Sequence, residues 1–364
     1  MVRTQGLLYR LHIDAPLMSS VVVVCALGLV VLYSAADQST DIIIKQAIRM
    51  LVGLLAMILI AQVSPQRLER WAPLIYLVGL GLLLLVLFVG TGRGAQRWLD
   101  LGLFQLQPSE LMKLAVPVTV AGFVAQKVLP PHIGTTAAAL VIVLIPAILI
   151  VEQPDLGTGL LVAGSGLFVL FFAGVRWRFI RNSMALASLT VPFAWFSMHD
   201  YQRLRIRTLF DPEQDPLGSG YHIIQSTIAV GSGGIYGKGW LNGTQSHLEF
   251  LPERATDFIF AVYCEEFGFT GVVILMVAYG LVLVRGLRIA YEAQEMFSRL
   301  VAASLTSTMF LYIFVNMGMV TGQLPVVGVP LPLVSYGGTS LVTILIGFGI
   351  LMSIQTHRKF ISET

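Results

Sequence analysis

The chain has 364 residues, of which 56% are hydrophobic and only 12% charged, with a mean hydropathy of +0.80. Soluble domains carry about 25% charged residues, so the composition excludes an ordinary soluble enzyme and implies an integral membrane protein. The net charge of +3 is accounted for by basic residues in the loops between apolar segments, so no nucleic-acid partner is expected.

Windows of about 18 to 22 apolar residues, long enough to cross a hydrocarbon core as helices, fall near residues 15–36, 42–62, 73–90, 108–126, 134–151, 156–174, 179–197, 257–284, 299–320 and 338–355. The expected fold is an all-α polytopic membrane protein with about ten transmembrane helices, residues 1–364 forming a single integral membrane domain. The first apolar stretch is of full spanning length and lacks a small-residue cleavage pattern, so it is expected to remain as an anchor. One set of alternate loops holds Arg3, Arg10, Arg67, Arg70, Lys127, Arg176, Arg178, Arg181, Arg285, Arg288, Arg299, Arg358 and Lys359. Basic residues are retained on the cytoplasmic side, which puts both termini there and the large loop 198–256, between helices 7 and 8, outside. Cys25 and Cys264 lie within spans and read as small packing residues rather than a disulfide. The histidines are scattered and form no Cys/His cluster, so no zinc site is expected. A divalent cation held between phosphates and carboxylates stays open.

Polar residues inside apolar segments carry most of the remaining information, because charge at membrane depth is costly and usually functional. Glu110 and Lys113 in the fourth span are three apart and share a helix face, where they read first as a structural ion pair. Asp155, at the start of the sixth span, is a candidate cross-helix partner for Lys113. In the external loop Arg203, Arg205 and Arg207 allow two readings, lipid-headgroup anchoring or a clamp for phosphate or pyrophosphate. Residues 220–230 have the apolar spacing of a short interfacial helix. The following Gly231-Ser-Gly-Gly-Ile-Tyr-Gly-Lys-Gly239 fails as a Walker loop, because Ser232 stands where a glycine is needed and Gly239 where a hydroxyl residue is needed. It reads better as a tightly turned re-entrant loop.

Asp257 ends the polar stretch Phe250-Leu-Pro-Glu-Arg-Ala-Thr-Asp257 just where the eighth span begins, placing a carboxylate at a membrane edge. Glu265 and Glu266 follow in that span, with Glu265 roughly on the face of Asp257. Pro325 through Gly338 is too rich in proline and glycine for a straight helix, and irregular backbone at membrane depth lines a cavity or packs inside protein. No nucleophile elbow of a serine hydrolase occurs.

Six motifs, taken in order, resemble one family over nearly the whole chain: Arg97-Trp-Leu-Asp-Leu-Gly102, Gln107-Pro-Ser-Glu-Leu-Met-Lys113, Glu152-Gln-Pro-Asp-Leu-Gly-Thr158, Gly220-Tyr-His-Ile-Ile-Gln225, Phe250 through Phe260, and Gly328 through Gly338. They are similar to the SEDS proteins of bacterial wall synthesis, and most like the RodA elongation branch rather than the FtsW division branch. The resemblance implies a peptidoglycan glycosyltransferase of the bacterial inner membrane that polymerises lipid II on the periplasmic face. It assigns the essential carboxylate to Asp257, expected as base for the acceptor hydroxyl in an inverting transfer. Arg203, Arg205 and Arg207, with Arg97 as an outsider, are the candidates to hold the pyrophosphate. Glu110, Lys113, Asp155 and Glu265 are expected as a polar network near the cavity. The implied partners are lipid II, the nascent glycan strand, a class B penicillin-binding protein that supplies transpeptidation, and other elongation-complex proteins. Two other readings are a lipid II flippase and a noncatalytic scaffold of the elongation machinery.

Overall fold

The computed structural model describes residues 11–91, 97–100, 102, 105–198, 200–215, 218–244 and 253–358. Each of the ten expected windows holds a helix: α1 (Ala15–Ala35), α2 (Thr40–Ala61), α3 (Pro65–Val89), α4 (Pro108–Ala125), α5 (Ile133–Glu152), α6 (Leu156–Phe172), α7 (Trp177–Ser197), α10 (Ile259–Glu292), α11 (Met296–Val320) and α12 (Thr339–Thr356). Between α7 and α10 lie two further helices, α8 (Asp200–Phe210) and α9 (Ser219–Ser232). The second is the expected interfacial helix, whereas the arginine-bearing α8 was not anticipated as a helix. A small antiparallel hairpin, β1 (Leu99–Asp100) with β2 (Gln105–Leu106), pairs Leu99 with Leu106; two-residue strands leave no periodicity to read in a sequence.

Eight of these helices are long and apolar enough to cross a membrane. Helix α6 is apolar but has 17 residues, and α7 is long enough but opens on Arg178 and Arg181. Local signals set the helix starts. Asp14 caps α1 by accepting from Leu17 N at 3.0 Å, Asp155 caps α6 by accepting from Thr158 N at 3.2 Å, and Pro108 occupies the first turn of α4, where a missing N–H costs nothing.

Helix α4, the most polar of the expected spans at its start, lies in the middle of the bundle against α3, α5, α6 and α11. Its Glu110 and Lys113 are buried. Outer helices do the reverse and turn large apolar residues outward, such as Leu51, Leu55 and Leu59 of α2 and Leu74, Leu77 and Phe88 of α3. Such residues meet lipid tails as apolar as themselves. Cys25 and Cys264 are buried and free.

Helix α10 is longer than the sequence suggested, and it is broken. Gly268 has φ 60 and ψ −160 inside it, so the helical hydrogen bonds lapse there. The glycine-rich loop supplies replacements. Lys238 N donates to Glu265 O at 2.9 Å and Gly239 N to Glu266 O at 3.0 Å, while Phe269 N and Thr270 N donate back to Gly234 O and Ile235 O at 2.9 and 3.0 Å. A side chain at Gly268 would collide with the Gly237 backbone, and one at Gly237 with Glu266. The glycines are therefore needed for close backbone approach, not for cradling a nucleotide.

Candidate active site

Asp257 is fixed by its backbone. It sits in the turn before α10, with Thr256 N and Phe258 N both donating to Glu253 O, at 3.0 and 3.3 Å. The irregular segment between α11 and α12 wraps this turn. Ser335 Oγ donates to Thr256 O at 2.6 Å, and Tyr336 N to Ala255 O at 2.8 Å. Asn316 of α11 donates from one Nδ2 to both Asp257 O at 2.9 Å and Val329 O at 2.7 Å. Gln46 of α2 donates to Ser335 O at 3.2 Å, and Arg49 lies 4.6 Å over the Tyr336 ring. The proline- and glycine-rich segment thus packs inside the protein and holds the acid's backbone from the side. Gly328, at φ +73, stands beside the carboxylate: a methyl there would lie 3.4 Å from Asp257 Oδ2.

The carboxylate itself is half-buried and, among the described residues, receives no hydrogen bond. Burial, reinforced by the nearby Glu253 carboxylate, pushes its pKa up to about 6; the Arg205 guanidinium opposes the shift and Asp155 adds to it. Such a group is ionised at neutral pH yet basic enough to take a proton, the balance that general-base catalysis requires.

The three arginines of α8 do not converge into one clamp. At 100° per residue, Arg203 and Arg207 share a face and Arg205 points nearly opposite. Arg203 donates to Trp195 O at 3.0 Å and Phe196 O at 2.9 Å and lies 3.5 Å from Asp200. Arg207 stacks on the Trp195 ring at 5.8 Å. Arg203 and Arg207 therefore tie α8 to the end of α7, while Arg205 is the arginine whose charge is felt at Asp257.

Arg97 is engaged elsewhere. It donates to Gln153 O at 3.0 Å and to Pro154 O, and lies 3.8 Å from Asp155. Asp155 also accepts from Gln107 Nε2 at 3.4 Å. Lys113 pairs with Glu110 at 2.6 Å, as their spacing suggested, its ammonium 5.0 Å from the Tyr312 ring centroid, while Asp155, the candidate cross-helix partner, is held by Arg97 and Gln107. A cavity bordered by Lys113, Leu305, Thr308, Tyr312, Ile344 and Phe348 opens beside this pair. Glu265 is separate again. Fully buried, it accepts from Lys238 Nζ at 2.6 Å and from Thr244 N and Oγ1 at 2.8 and 2.9 Å, which makes it the anchor of the glycine-rich loop.

Sequence reasoning passed over Glu253, Asn316, Ser335 and Gln46. Asn316 and Gln46 did carry a signal, being uncharged polar residues within apolar windows. Among the described residues no group of three or more His, Cys, Asp or Glu side chains is arranged to hold a metal ion.

Residues 8–360 match the family of FtsW, RodA and SpoVE, described as cell cycle proteins. The chain is 51% identical over 357 residues to the peptidoglycan glycosyltransferase MrdB of Escherichia coli, covering 98% of this chain and 96% of that one. It is 37% identical to the probable peptidoglycan glycosyltransferase FtsW of Geobacter metallireducens, covering 95% of each. Among solved structures, it superposes on a chain from a peptidoglycan synthase complex studied for coordinated polymerization and crosslinking, with a TM-score of 0.83 and 36% identity over 95% of this chain and 99% of that one. RodA of Thermus thermophilus gives a TM-score of 0.72 and 30% identity, covering 95% and 98%.

Proposed function

Because this chain belongs to the FtsW/RodA/SpoVE family, we propose that it is a peptidoglycan glycosyltransferase that polymerises lipid II on the periplasmic face of the inner membrane during cell elongation. In this reading the chain is a single membrane domain with ten spans, both termini cytoplasmic and the α8–α9 region outside. The observation that supports it is Asp257: a half-buried carboxylate in the turn before α10, its turn held by Asn316, Ser335 and Tyr336, with a raised pKa and, among the described residues, no donor to its side chain.

The chemistry follows from that arrangement. The acceptor sugar hydroxyl gives its proton to the Asp257 carboxylate as its oxygen bonds to the anomeric carbon of the donor. The bond from that carbon to pyrophosphate breaks, and the electron pair leaves with the phosphate. One base and one displacement invert the anomeric centre, as in inverting glycosidases. Pyrophosphate leaves as a stable anion, so it needs positive charge more than a proton. Arg205 is the arginine best placed to supply that charge, whereas Arg203, Arg207 and Arg97 serve the scaffold. Lipid tails would lie between helices in the bilayer. The crosslinking partner is a class B penicillin-binding protein, since this chain carries no serine acyl-transfer motif.

The test is polymerisation of labelled lipid II by the purified chain with its cognate class B penicillin-binding protein, comparing wild type with Asp257→Ala. Long glycan strands from wild type and none from the variant are expected. No strands from either, with both proteins folded, would overturn the reading and favour a lipid flippase.

A further inference from the structure

His222 lies on α9 with its ring stacked on Phe258, the centroids 5.4 Å apart and the planes within 14°. Phe258 follows Asp257 directly in the chain. The Glu253 carboxylate acts on both His222 and Asp257, so the imidazole and the base border one site. Helix α9 also packs on α8, which brings Arg205 to the same region.

The ring holds an anomaly. Its Nδ1 is enclosed and, among the described residues, has no hydrogen-bond partner, a cost that folded proteins seldom carry without reason. Burial lowers the His222 pKa against the opposing pull of Glu253 and Asp215, which keeps the ring neutral at neutral pH. A neutral imidazole has one N–H and one bare nitrogen. Orphaned buried N–H groups are rarer than under-used acceptors, so the enclosed Nδ1 is assigned as the bare nitrogen and Nε2 as the N–H. Phenylalanine would stack on Phe258 equally well without an orphaned nitrogen, so stacking alone does not explain a histidine here.

We propose that His222 is a second catalytic residue, whose Nε2–H donates a hydrogen bond to the pyrophosphate of the lipid-linked donor as that group departs. The inference rests on the glycosyltransferase reading. The hydroxyl proton already has its acceptor in Asp257, and the remaining need at the site is a donor to an anion. A neutral imidazole meets that need while the Arg205 cation supplies charge.

The experiment compares wild type, His222→Phe and His222→Gln in lipid II polymerisation with the partner present, in thermal melting, and in binding of a polyprenyl pyrophosphate against the corresponding monophosphate. His222→Phe removes the orphaned nitrogen, so it should melt no lower than wild type while kcat falls about 100-fold, the scale of losing one donor to a developing anion. Its preference for the pyrophosphate lipid should shrink as well. His222→Gln retains an N–H and should recover part of the rate. A folded His222→Phe that polymerises within about threefold of wild type overturns the proposal. If His222→Phe does not fold, a folded His222→Gln decides: partial activity supports a donor role and complete loss overturns it. Absence of polymer from wild type itself would instead count against the glycosyltransferase reading, and the lipid-binding comparison would then decide the role of His222 alone.

Discussion

Asp257 and Glu265 lie two helical turns apart near the start of α10, and the protein treats their charges in opposite ways. Glu265 is fully buried and receives Lys238 Nζ and Thr244 N and Oγ1 at 2.6 to 2.9 Å. Asp257 is half-buried, its backbone oxygen is held by Asn316, and among the described residues its carboxylate has no donor. A saturated carboxylate is a fastener, since its lone pairs are committed to its donors. An unsaturated one, desolvated and set beside Glu253, retains basicity for chemistry.

The largest expected effect separates the pair directly. Asp257→Asn should lower polymerisation by at least about a thousandfold, within the range for losing an essential general base, with the fold intact. The variant should even melt higher at pH 7.5. The folded state holds the Asp257 proton up to about pH 6 against an ordinary value of 3.8, so its stability falls as pH rises between those values. The ionised group then costs at most about 3 kcal/mol. The melting advantage of Asn should vanish as pH falls toward 4, and an advantage that persisted there would mean the shift is not the cause. Glu265→Ala should do the opposite. Breaking a buried ion pair costs about 3 to 5 kcal/mol, so melting should fall sharply while the folded fraction still polymerises.

Lys113→Ala tests the other buried pair. It strands Glu110, whose second oxygen already lacks a partner, so melting and activity should fall together. Loss of activity with an unchanged melting curve would give Lys113 a direct substrate role. Activity should also fall about tenfold per pH unit below about 6, as the base becomes protonated. Glu253→Gln should move that limb to lower pH, because it removes a carboxylate that raises the Asp257 pKa; an unmoved limb would sever the electrostatic link. The smallest effect is expected from Gly328→Ala. A residue at φ +73 pays about 1 kcal/mol, but the added methyl crowds Oδ2, so activity should drop more than stability.

Most of the helical frame was legible, because the bilayer demands long apolar runs and the chain supplies them. The place of Asp257 just before α10 was legible for the same reason, as a charge at the edge of such a run. The arginines were misjudged because proximity in sequence says nothing of helix phase until α8 is known to be a helix, and that phase sends Arg205 away from Arg203 and Arg207. Arg97 as the cation beside Asp155 was not legible, because it comes from a hairpin with too few residues to announce itself. The hold on the Asp257 turn, by Asn316 on Asp257 O and Ser335 on Thr256 O, joins segments far apart in the chain, and no local pattern encodes such pairings.

The break at Gly268 also bears on how α10 fits a bilayer. An unbroken helix of 34 residues would be about 50 Å long, far beyond a hydrocarbon layer of about 30 Å, and would tilt or slide as that layer thickened or thinned. With the axis interrupted, the part after Gly268, about 36 Å, meets the span on its own. The short first part is moored instead to the glycine-rich loop and to the segment before α12. A tilt of the part after Gly268 therefore need not carry the first part with it, and the place of the Asp257 carboxylate within the bundle is set by those moorings.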